Sequence, residues 1–493
     1  MTKEQQKNYT LPIVMMILLF GMISFVTNLA APMGIVLKNQ FGVSNAMGML
    51  GNMANFIAYA VMGIPGGILL QKMGYKKTAL IAIAVGFIGI FIQYLSGHTG
   101  QSSAFGVYLL GAFVAGFSMC LLNTVVNPML NTLGGGGNKG NQLIQIGGSF
   151  NSLMATFTPV FVGILIGEAA KAKITDVFPV MYIAMGVFAI VFFVLLAVSI
   201  PEPNAEKTSE PLGNLMSGAV KFRHFVLGAI GIFVYVGIEV GTPATYNLYM
   251  TSFTNEQATE KIAEYQKQQS DPTYLAGIKA MDEANKDKDS KDYQMKEVKE
   301  NVYKSAQNII DGKTKAGLGI NAGIAGGIVG FYWLLMLVGR LIGSAIGTKV
   351  SSQKMLAVTT TVGIILVLAA IFSSIGTTVR MPAFDTSGGS LSVGLPKVPI
   401  TFLFLALVGL CTSIMWGGIF NLAVEGLGKY LAAASGIFMV LVCGGGILPW
   451  IQANVADLAG YMVSYWVIII ALAYLLFYAL IGSKNVNKDI PVD

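Results

Sequence analysis

The sequence predicts an all-α integral membrane protein with twelve transmembrane helices in two pseudo-symmetric halves of six. Three observations predict this fold class: few charged residues, long apolar segments and a weak internal repetition. Of the 493 residues, 11% are charged, and the mean hydropathy is +0.67. Soluble domains carry about 25% charged residues. A chain with so few charges cannot cover a water-facing surface, so most of its surface must contact lipid.

Twelve apolar segments are long enough to cross a bilayer as helices, which takes about 20 residues. The first is longer than the apolar core of a signal peptide, and we therefore expect it to be a span. The 59 glycines fit this fold, because small residues let membrane helices pack closely. Numbered 1 to 12, the predicted spans are residues 11–36, 46–69, 78–96, 105–131, 142–167, 178–200, 224–250, 320–347, 354–375, 399–424, 431–455 and 461–482.

Basic residues predict the orientation, because cytoplasmic loops of membrane proteins are rich in Lys and Arg. They concentrate at both termini and in the loops after spans 2, 4, 6, 8 and 10. This places both termini in the cytoplasm, and we expect the chain in a bacterial inner membrane. The residues concerned are Lys3, Lys7, Lys72, Lys76, Lys77, Lys139, Lys207, Lys221, Arg223, Lys349, Lys354, Lys429, Lys484 and Lys488.

The spans divide the chain into an N-terminal half, residues 1–200, and a C-terminal half, residues 224–482. A cytoplasmic linker over 201–223 joins them, and a cytoplasmic tail over 483–493 follows. Short stretches after spans 2 and 8 resemble each other weakly, with glycines followed by basic residues. Internal repeats in a membrane protein indicate alternating access, with substrate held near the midplane between the halves.

A polar insert, residues 252–319, interrupts the C-terminal half. It contains 12 of the 24 acidic and 11 of the 31 basic residues of the chain. The orientation above places it outside the cytoplasm. Residues 256–269 and 291–311 have helix-forming composition, which predicts a small helical cap, and a solvated spacer without a ligand is the alternative.

Several stretches carry a family resemblance. Asn123-Thr-Val-Val-Asn127-Pro128 in span 4 leads into residues 141–152 of span 5, and Tyr235-Val-Gly237-Ile-Glu239 stands in span 7. With residues 417–422 and 444–449, they resemble the fucose/proton symporter family of the major facilitator superfamily, which includes bacterial fucose and glucose/galactose transporters. The loop after span 2 resembles the superfamily signature in part, with Gln71 where an acid is usual.

The resemblance implies the major facilitator fold, a central monosaccharide site and uptake coupled to a cation gradient. Fucose-type members carry one acid at the position aligned with Ala31 in span 1 and another at the position of Asn123 in span 4. Neither residue is acidic here. A proton relay built on those two positions cannot operate in this chain.

Glu239 is the one acidic residue predicted well inside a span. Carboxylates are costly in a membrane, so they usually face a cavity and serve transport. Glu239 is therefore the candidate for coupling, as a proton carrier or a ligand of Na⁺, and also for accepting sugar hydroxyls. A carboxylate held by hydrogen bonds between helices is the alternative. Two histidines and three cysteines, with no metal-site spacing, predict no cofactor and no metal site.

Amide side chains in apolar spans are the other candidate sugar ligands, because an amide both donates and accepts hydrogen bonds. Amides also hold membrane helices together, which is the alternative role. Trp416 lies mid-span and is a candidate stacking platform for a sugar ring. The candidate amides are Asn28, Asn123, Asn127, Gln145, Asn151 and Asn421, of which Asn127, Gln145 and Asn151, in the matched stretches of spans 4 and 5, are the favoured sugar ligands.

Arg340 and Glu425 are predicted at the cytoplasmic ends of spans 8 and 10. They are candidates for an ion pair that gates the cytoplasmic side. The alternative is a pair of long or charged side chains that reach the membrane surface independently.

The predicted function is secondary active import of a monosaccharide such as fucose, glucose, galactose or a related hexose, coupled to H⁺ or Na⁺. An uncoupled facilitator or an exporter of another small solute is the alternative. An enzyme is disfavoured because the spans show no nucleophile–base pair, and a receptor would not need two similar halves. The expected partners are the sugar and the lipid bilayer, with no nucleic acid, and the expected state is a monomer.

Overall fold

The computed structural model describes residues 9–41, 45–99, 101–135, 137–166, 174–202, 212–272, 291–347, 349–385, 392–486 and 490. Within these ranges, ten helices are long and apolar enough to cross a membrane. One of them, Leu50–Ser96, is kinked at Gly74 and contains spans 2 and 3. The helix Gly137–Ile166 supplies span 5. The chain therefore forms the predicted all-α bundle of twelve spans.

The spans keep their predicted numbers. The first half has span 1 at Thr10–Phe41, spans 2 and 3 in Leu50–Ser96, span 4 at Gln101–Leu133, span 5 at Gly137–Ile166 and span 6 at Phe178–Ala197. The second half has span 7 at Arg223–Thr251, span 8 at Ala322–Ile346, span 9 at Ser352–Phe372, span 10 at Ile400–Thr412 and Met415–Val424, span 11 at Leu431–Leu441 and Gly444–Ala459, and span 12 at Tyr461–Phe477, extended by a π-turn at Tyr478–Gly482.

Successive spans run antiparallel, so the bundle has two faces. We call the face with Thr10 and the linker helix Leu212–Ala219 the terminal face. The opposite face, which carries the insert between spans 7 and 8, is the insert face.

A tight turn at Gly74 separates spans 2 and 3 on the terminal face. Gly74 has a φ of 79°, which is in the left-handed region that favours glycine. The Glu202 carboxylate, just after span 6, accepts hydrogen bonds from the backbone N–H of Tyr75 at 2.8 Å and of Lys76 at 3.2 Å. Glu202 thus caps the first turn of span 3, where a negative charge is favourable.

Removing this cap should lower stability without changing the transport site. We expect Glu202→Ala to reduce the free energy of unfolding by about 1 kcal/mol, the usual loss for a helix cap. Thermal unfolding in detergent measures the effect. Glu260→Ala, in an exposed position of an insert helix, is the control, and equal unfolding of the two variants would contradict the role of Glu202.

Within its described residues, 252–272 and 291–319, the insert forms the helices Asn255–Ser270 and Lys291–Ile310, close to the stretches with helix-forming composition. Their contact includes Tyr265 and Tyr303, whose rings stack with centroids 4.5 Å apart. The chain then returns to span 7, where the Leu318 N–H donates to the Tyr249 carbonyl at 3.0 Å. The second insert helix also contacts span 1. The insert therefore belongs to the second half by connectivity and touches the first half.

Between spans 9 and 10 the chain forms short strands that the sequence did not predict. The strands are β1 at Thr378–Arg380, β2 at Ala383–Asp385, β3 at Ser392–Gly394 and β4 at Lys397–Pro399. They pair antiparallel as β1 with β4 and β2 with β3. Strand β2 packs against span 8, where Gly327 leaves room for the Phe384 backbone. Strands of three residues show no alternation that a sequence pattern could reveal.

Small residues form the contact between spans 2 and 11, which belong to different halves. An added Cβ at Gly63 would lie 2.7 Å from the Val440 backbone nitrogen. Farther toward the insert face, Gly445 and Gly446 lie against Phe56 and Met53. Such residues allow membrane helices to approach backbone to backbone. The two halves can therefore pack closely at this contact.

A large side chain in this contact should block transport. We expect Gly63→Leu to reduce the initial rate of transport at least tenfold, because its side chain would force spans 2 and 11 apart. Gly186→Leu in span 6 is the matched control, since an added Cβ there meets nothing within 4 Å. Equal transport by the two variants, at equal amounts in the membrane, would contradict the proposed packing role.

Candidate substrate site

A cavity lies between the two halves at the centre of the bundle. The cavity has a volume of about 100 Å³, which exceeds the roughly 10–15 Å³ that one buried water needs. Spans 1, 2, 4 and 5 line one side, and spans 7, 8, 10 and 11 line the other. Its polar and aromatic lining residues are Ser24, Thr27, Asn28, Phe20, Phe56, Tyr59, Asn123, Gln145, Asn151, Glu239, Trp333, Arg340 and Trp416.

An ion pair crosses one side of this cavity. Arg340 Nη2 of span 8 donates to Glu239 Oε1 of span 7 at 3.1 Å, and the two side chains are 7% and 14% exposed. Arginine is always protonated in proteins, so its charge stays in the cavity. The hydrogen bond between the two side chains is charge-assisted, which strengthens it relative to a bond between neutral groups.

Arg340 also joins the two halves. Its Nη1 donates to the Gly148 carbonyl and, at 3.4 Å, to Asn151 Oδ1, both in span 5. Its Nε donates to the Ser413 carbonyl of span 10 at 3.2 Å. The guanidinium therefore holds acceptors from both halves around one corner of the cavity.

The predicted gate between Arg340 and Glu425 is not formed. Arg340 lies six residues before the end of span 8 at Ile346, so its side chain reaches the cavity and Glu239. Glu425 follows span 10 on the terminal face and is exposed. Its backbone carbonyl lies 2.9 Å from His224 Nε2. The sequence position of Arg340 near a span end suggested the wrong partner.

Prolines within the spans free backbone carbonyls, because proline has no N–H to donate to the residue four positions earlier. Pro243 leaves the Glu239 carbonyl without its helical donor, and the Tyr332 hydroxyl donates to that oxygen at 3.2 Å. Pro449 does the same for the Gly445 carbonyl of span 11, which accepts from Asn52 Nδ2 at 3.1 Å. The second bond links the two halves.

Span 10 is broken where it passes the cavity. Its first helix ends at Thr412 and its second begins at Met415. The Ser413 carbonyl accepts from Arg340, and the Ile414 carbonyl accepts from Gln145 Nε2 of span 5 at 3.3 Å. Irregular backbone is tolerated at membrane depth where it lines a cavity or is buried in protein. The break thus supplies two acceptors to side chains of the site.

The two candidate amides of span 4 have different surroundings. Asn123 lines the cavity, and its Nδ2 donates to the Tyr59 hydroxyl at 2.8 Å. Asn127 is fully buried behind it and is not a lining residue. Asn127 Oδ1 instead accepts from Trp416 Nε1 of span 10 at 3.1 Å. Asn127 therefore positions the indole ring rather than facing a ligand in this conformation.

The remaining candidate amides also differ in whether they line the cavity. Asn151 lines the cavity and donates to the Phe20 carbonyl at 3.2 Å, and Asn28 lines it and donates to the Ser24 carbonyl at 2.9 Å. Asn421 lies away from the cavity, where its Nδ2 contacts Ser352 Oγ at 3.3 Å. The side chain of Ala31 lies outside the described residues.

Sequence reasoning missed three hydroxyl groups of the lining: Ser24, Thr27 and Tyr59. Hydroxyl residues are common in membrane helices, where they bond to their own backbone. Thr27 Oγ1, for example, donates to the Ile23 carbonyl at 2.8 Å. The sequence contains no signal that separates such residues from ligands.

The halves contact each other on the terminal-face side of the cavity. Gln142 Nε2 of span 5 donates to the Ser344 carbonyl of span 8 at 3.3 Å, close to the ends of both helices. The bond between Asn127 and Trp416 also joins the two halves, next to the cavity. The two halves therefore contact each other on the terminal-face side of the cavity as well as toward the insert face, where Asn52 bonds to the Gly445 carbonyl.

A polar cavity between two halves of six spans each is typical of a membrane carrier. The model of the Major Facilitator Superfamily matches residues 13–259, half of the chain, and the chain belongs to this superfamily. It is therefore a multi-pass membrane transporter and not an enzyme.

Three known proteins show how far the similarity extends. The glucose/galactose transporter of Brucella abortus is 29% identical and covers 98% of this chain and 96% of its own. A putative glucose/galactose transporter of Helicobacter pylori is 26% identical, covering 98% and 99%. A solved structure of the Escherichia coli fucose:proton symporter FucP has a TM-score of 0.65 at 16% identity, covering 97% and 100%. The likeness of that structure shows the shared fold.

Proposed function

We propose that this chain is a monosaccharide–proton symporter that works by alternating access. The observation that carries the proposal is the buried pair of Glu239 and Arg340 beside the amides of Asn123, Gln145 and Asn151. Amides, a tyrosine and a carboxylate provide the donors and acceptors that sugar hydroxyls need. The similar proteins are named as transporters of glucose and galactose or of fucose with protons.

Two indole rings support a sugar over a more polar solute. Trp333 of span 8 and Trp416 of span 10 both line the cavity. The apolar C–H face of a pyranose can pack on such a ring while its hydroxyls bond at the edges. Asn127 fixes the Trp416 ring through its indole N–H, which favours a defined stacking surface.

The surroundings of Glu239 favour a proton over Na⁺ as the coupling ion. A hard cation requires several oxygen ligands, but Glu239 Oε1 is already bonded to the Arg340 guanidinium. A sodium ion on this carboxylate would also be repelled by the nearby positive charge. A proton needs no ligand shell, so it can neutralise Glu239 in place.

We also propose a bacterial inner membrane as the location, with both termini in the cytoplasm and a monomer as the working unit. The basic loops on the terminal face support this orientation. The insert and the β-strand segment then lie outside the cytoplasm.

Uptake into proteoliposomes tests the proposal. Labelled glucose, galactose and fucose are offered with an inward proton gradient, an inward sodium gradient or neither. We expect one or more of these sugars to accumulate with the proton gradient alone. Equal uptake under all three conditions would show an uncoupled facilitator, and no uptake of any sugar would reject the sugar assignment.

A further inference from the structure

The ion pair determines the net charge of the cavity. Among the described lining residues, Glu239 is the one carboxylate and Arg340 the one Lys or Arg side chain. Their charges cancel when Glu239 is ionised. If a coupling proton neutralises Glu239, the cavity retains the charge of Arg340, since the guanidinium does not release its proton.

Arg340 has acceptors that do not depend on the charge of Glu239. Its Nε and Nη1 donate to the neutral carbonyls of Ser413 and Gly148, and Nη1 also contacts Asn151 Oδ1. These oxygens continue to solvate the guanidinium after Glu239 is neutralised. The positive charge is therefore retained in the cavity during the loaded step.

We propose that Arg340 makes the unloaded carrier electroneutral, so that the sugar-loaded carrier crosses the membrane with one positive charge. This inference rests on the proposed function and deepens it. The membrane potential, negative inside, then drives the loaded inward step, and the return of the empty carrier does not depend on voltage. The charge of Arg340 thereby determines that the loaded carrier, and not the empty one, moves charge across the membrane.

A carboxylate without a resident cation would give the opposite assignment. The loaded carrier would be neutral, and the empty carrier would return with a negative charge. Both arrangements move one charge per cycle, so net uptake alone does not separate them. Exchange of sugar for sugar distinguishes the two arrangements, because only the loaded carrier crosses the membrane during exchange.

The experiment is exchange of labelled sugar in proteoliposomes that hold saturating sugar at the same pH on both sides. The sugar is the one that proves to be transported, and potassium gradients with valinomycin set the potential. A potential of about 100 mV should slow wild-type exchange roughly three- to fourfold if one charge crosses the whole field. Both signs should have this effect, because each speeds one direction of crossing and slows the other.

Two variants give the comparison. Glu239→Gln with Arg340→Gln leaves a neutral cavity, and its exchange should not respond to voltage. Arg380→Gln in the exposed strand β1 removes an arginine outside the cavity and should respond as wild type does. The wild-type measurement decides the question even if the double variant does not fold.

The two proposals fail in different ways. Wild-type exchange that is rapid but unaffected by voltage would overturn the charge assignment and leave sugar transport standing. The same voltage response in the double variant as in wild type would also overturn it. The absence of exchange for every sugar would reject the proposed function and this inference with it.

Discussion

Proteoliposomes that contain the Glu239→Gln variant should exchange sugar but fail to accumulate it under a proton gradient. Glutamine keeps the size of the side chain and leaves an amide oxygen as acceptor for Arg340, which lies 3.1 Å from Glu239 Oε1 in wild type. It cannot take up and release a proton. The accumulation ratio of labelled sugar should therefore fall to one, and exchange should remain measurable because the site keeps its shape.

Glu425→Gln is the matched control for this prediction. Glu425 is an exposed carboxylate at the end of span 10, outside the cavity. This variant should accumulate sugar as wild type does, at equal amounts of protein in the membrane. Full accumulation by Glu239→Gln would contradict the role of Glu239 in coupling and would direct attention to another proton acceptor.

The twelve spans could be predicted because the lipid bilayer imposes a strong constraint on sequence. A helix that crosses it needs about 20 apolar residues, and each such segment is visible without knowledge of its neighbours. Helix ends are less well determined. Span 1, for example, extends to Phe41 where the apolar segment ends near Val36, because polar residues can continue a helix beyond the membrane.

The interruptions inside spans could not be predicted from apolar length. Spans 10 and 11 each consist of two helices, with breaks at residues 413–414 and 442–443. Both breaks lie in segments that are long and apolar enough to be predicted as continuous spans. Pro243 and Pro449 each free a carbonyl in their helix, but the donors to those carbonyls, Tyr332 and Asn52, come from other spans.

Sequence-based prediction has the same limit for single residues of the site. Glu239 stood out because an acid within an apolar segment is rare and costly. Its partner did not, since Arg340 is 101 residues away in the chain and lies close enough to a span end to resemble an interfacial residue. Asn127 and Asn123 share one short motif, yet one contacts Trp416 and the other faces the cavity.

Loss of Arg340 should destabilise the folded protein more than loss of any exposed arginine. Arg340→Met keeps much of the side-chain volume but leaves the Glu239 carboxylate, 14% exposed, without its partner. Removing one member of a buried ion pair typically costs about 3–5 kcal/mol. We expect a large fall in the temperature of unfolding in detergent, and little change for Arg380→Met in the exposed strand β1.

A double variant separates loss of charge pairing from loss of packing. In Glu239→Gln with Arg340→Met no carboxylate is left unpaired, so this protein should unfold at a higher temperature than Arg340→Met alone. A double-mutant cycle then gives the coupling free energy between the two side chains. If the two substitutions were simply additive, the ion pair would contribute nothing to stability, and Arg340 would act only through its bonds to Gly148, Asn151 and Ser413.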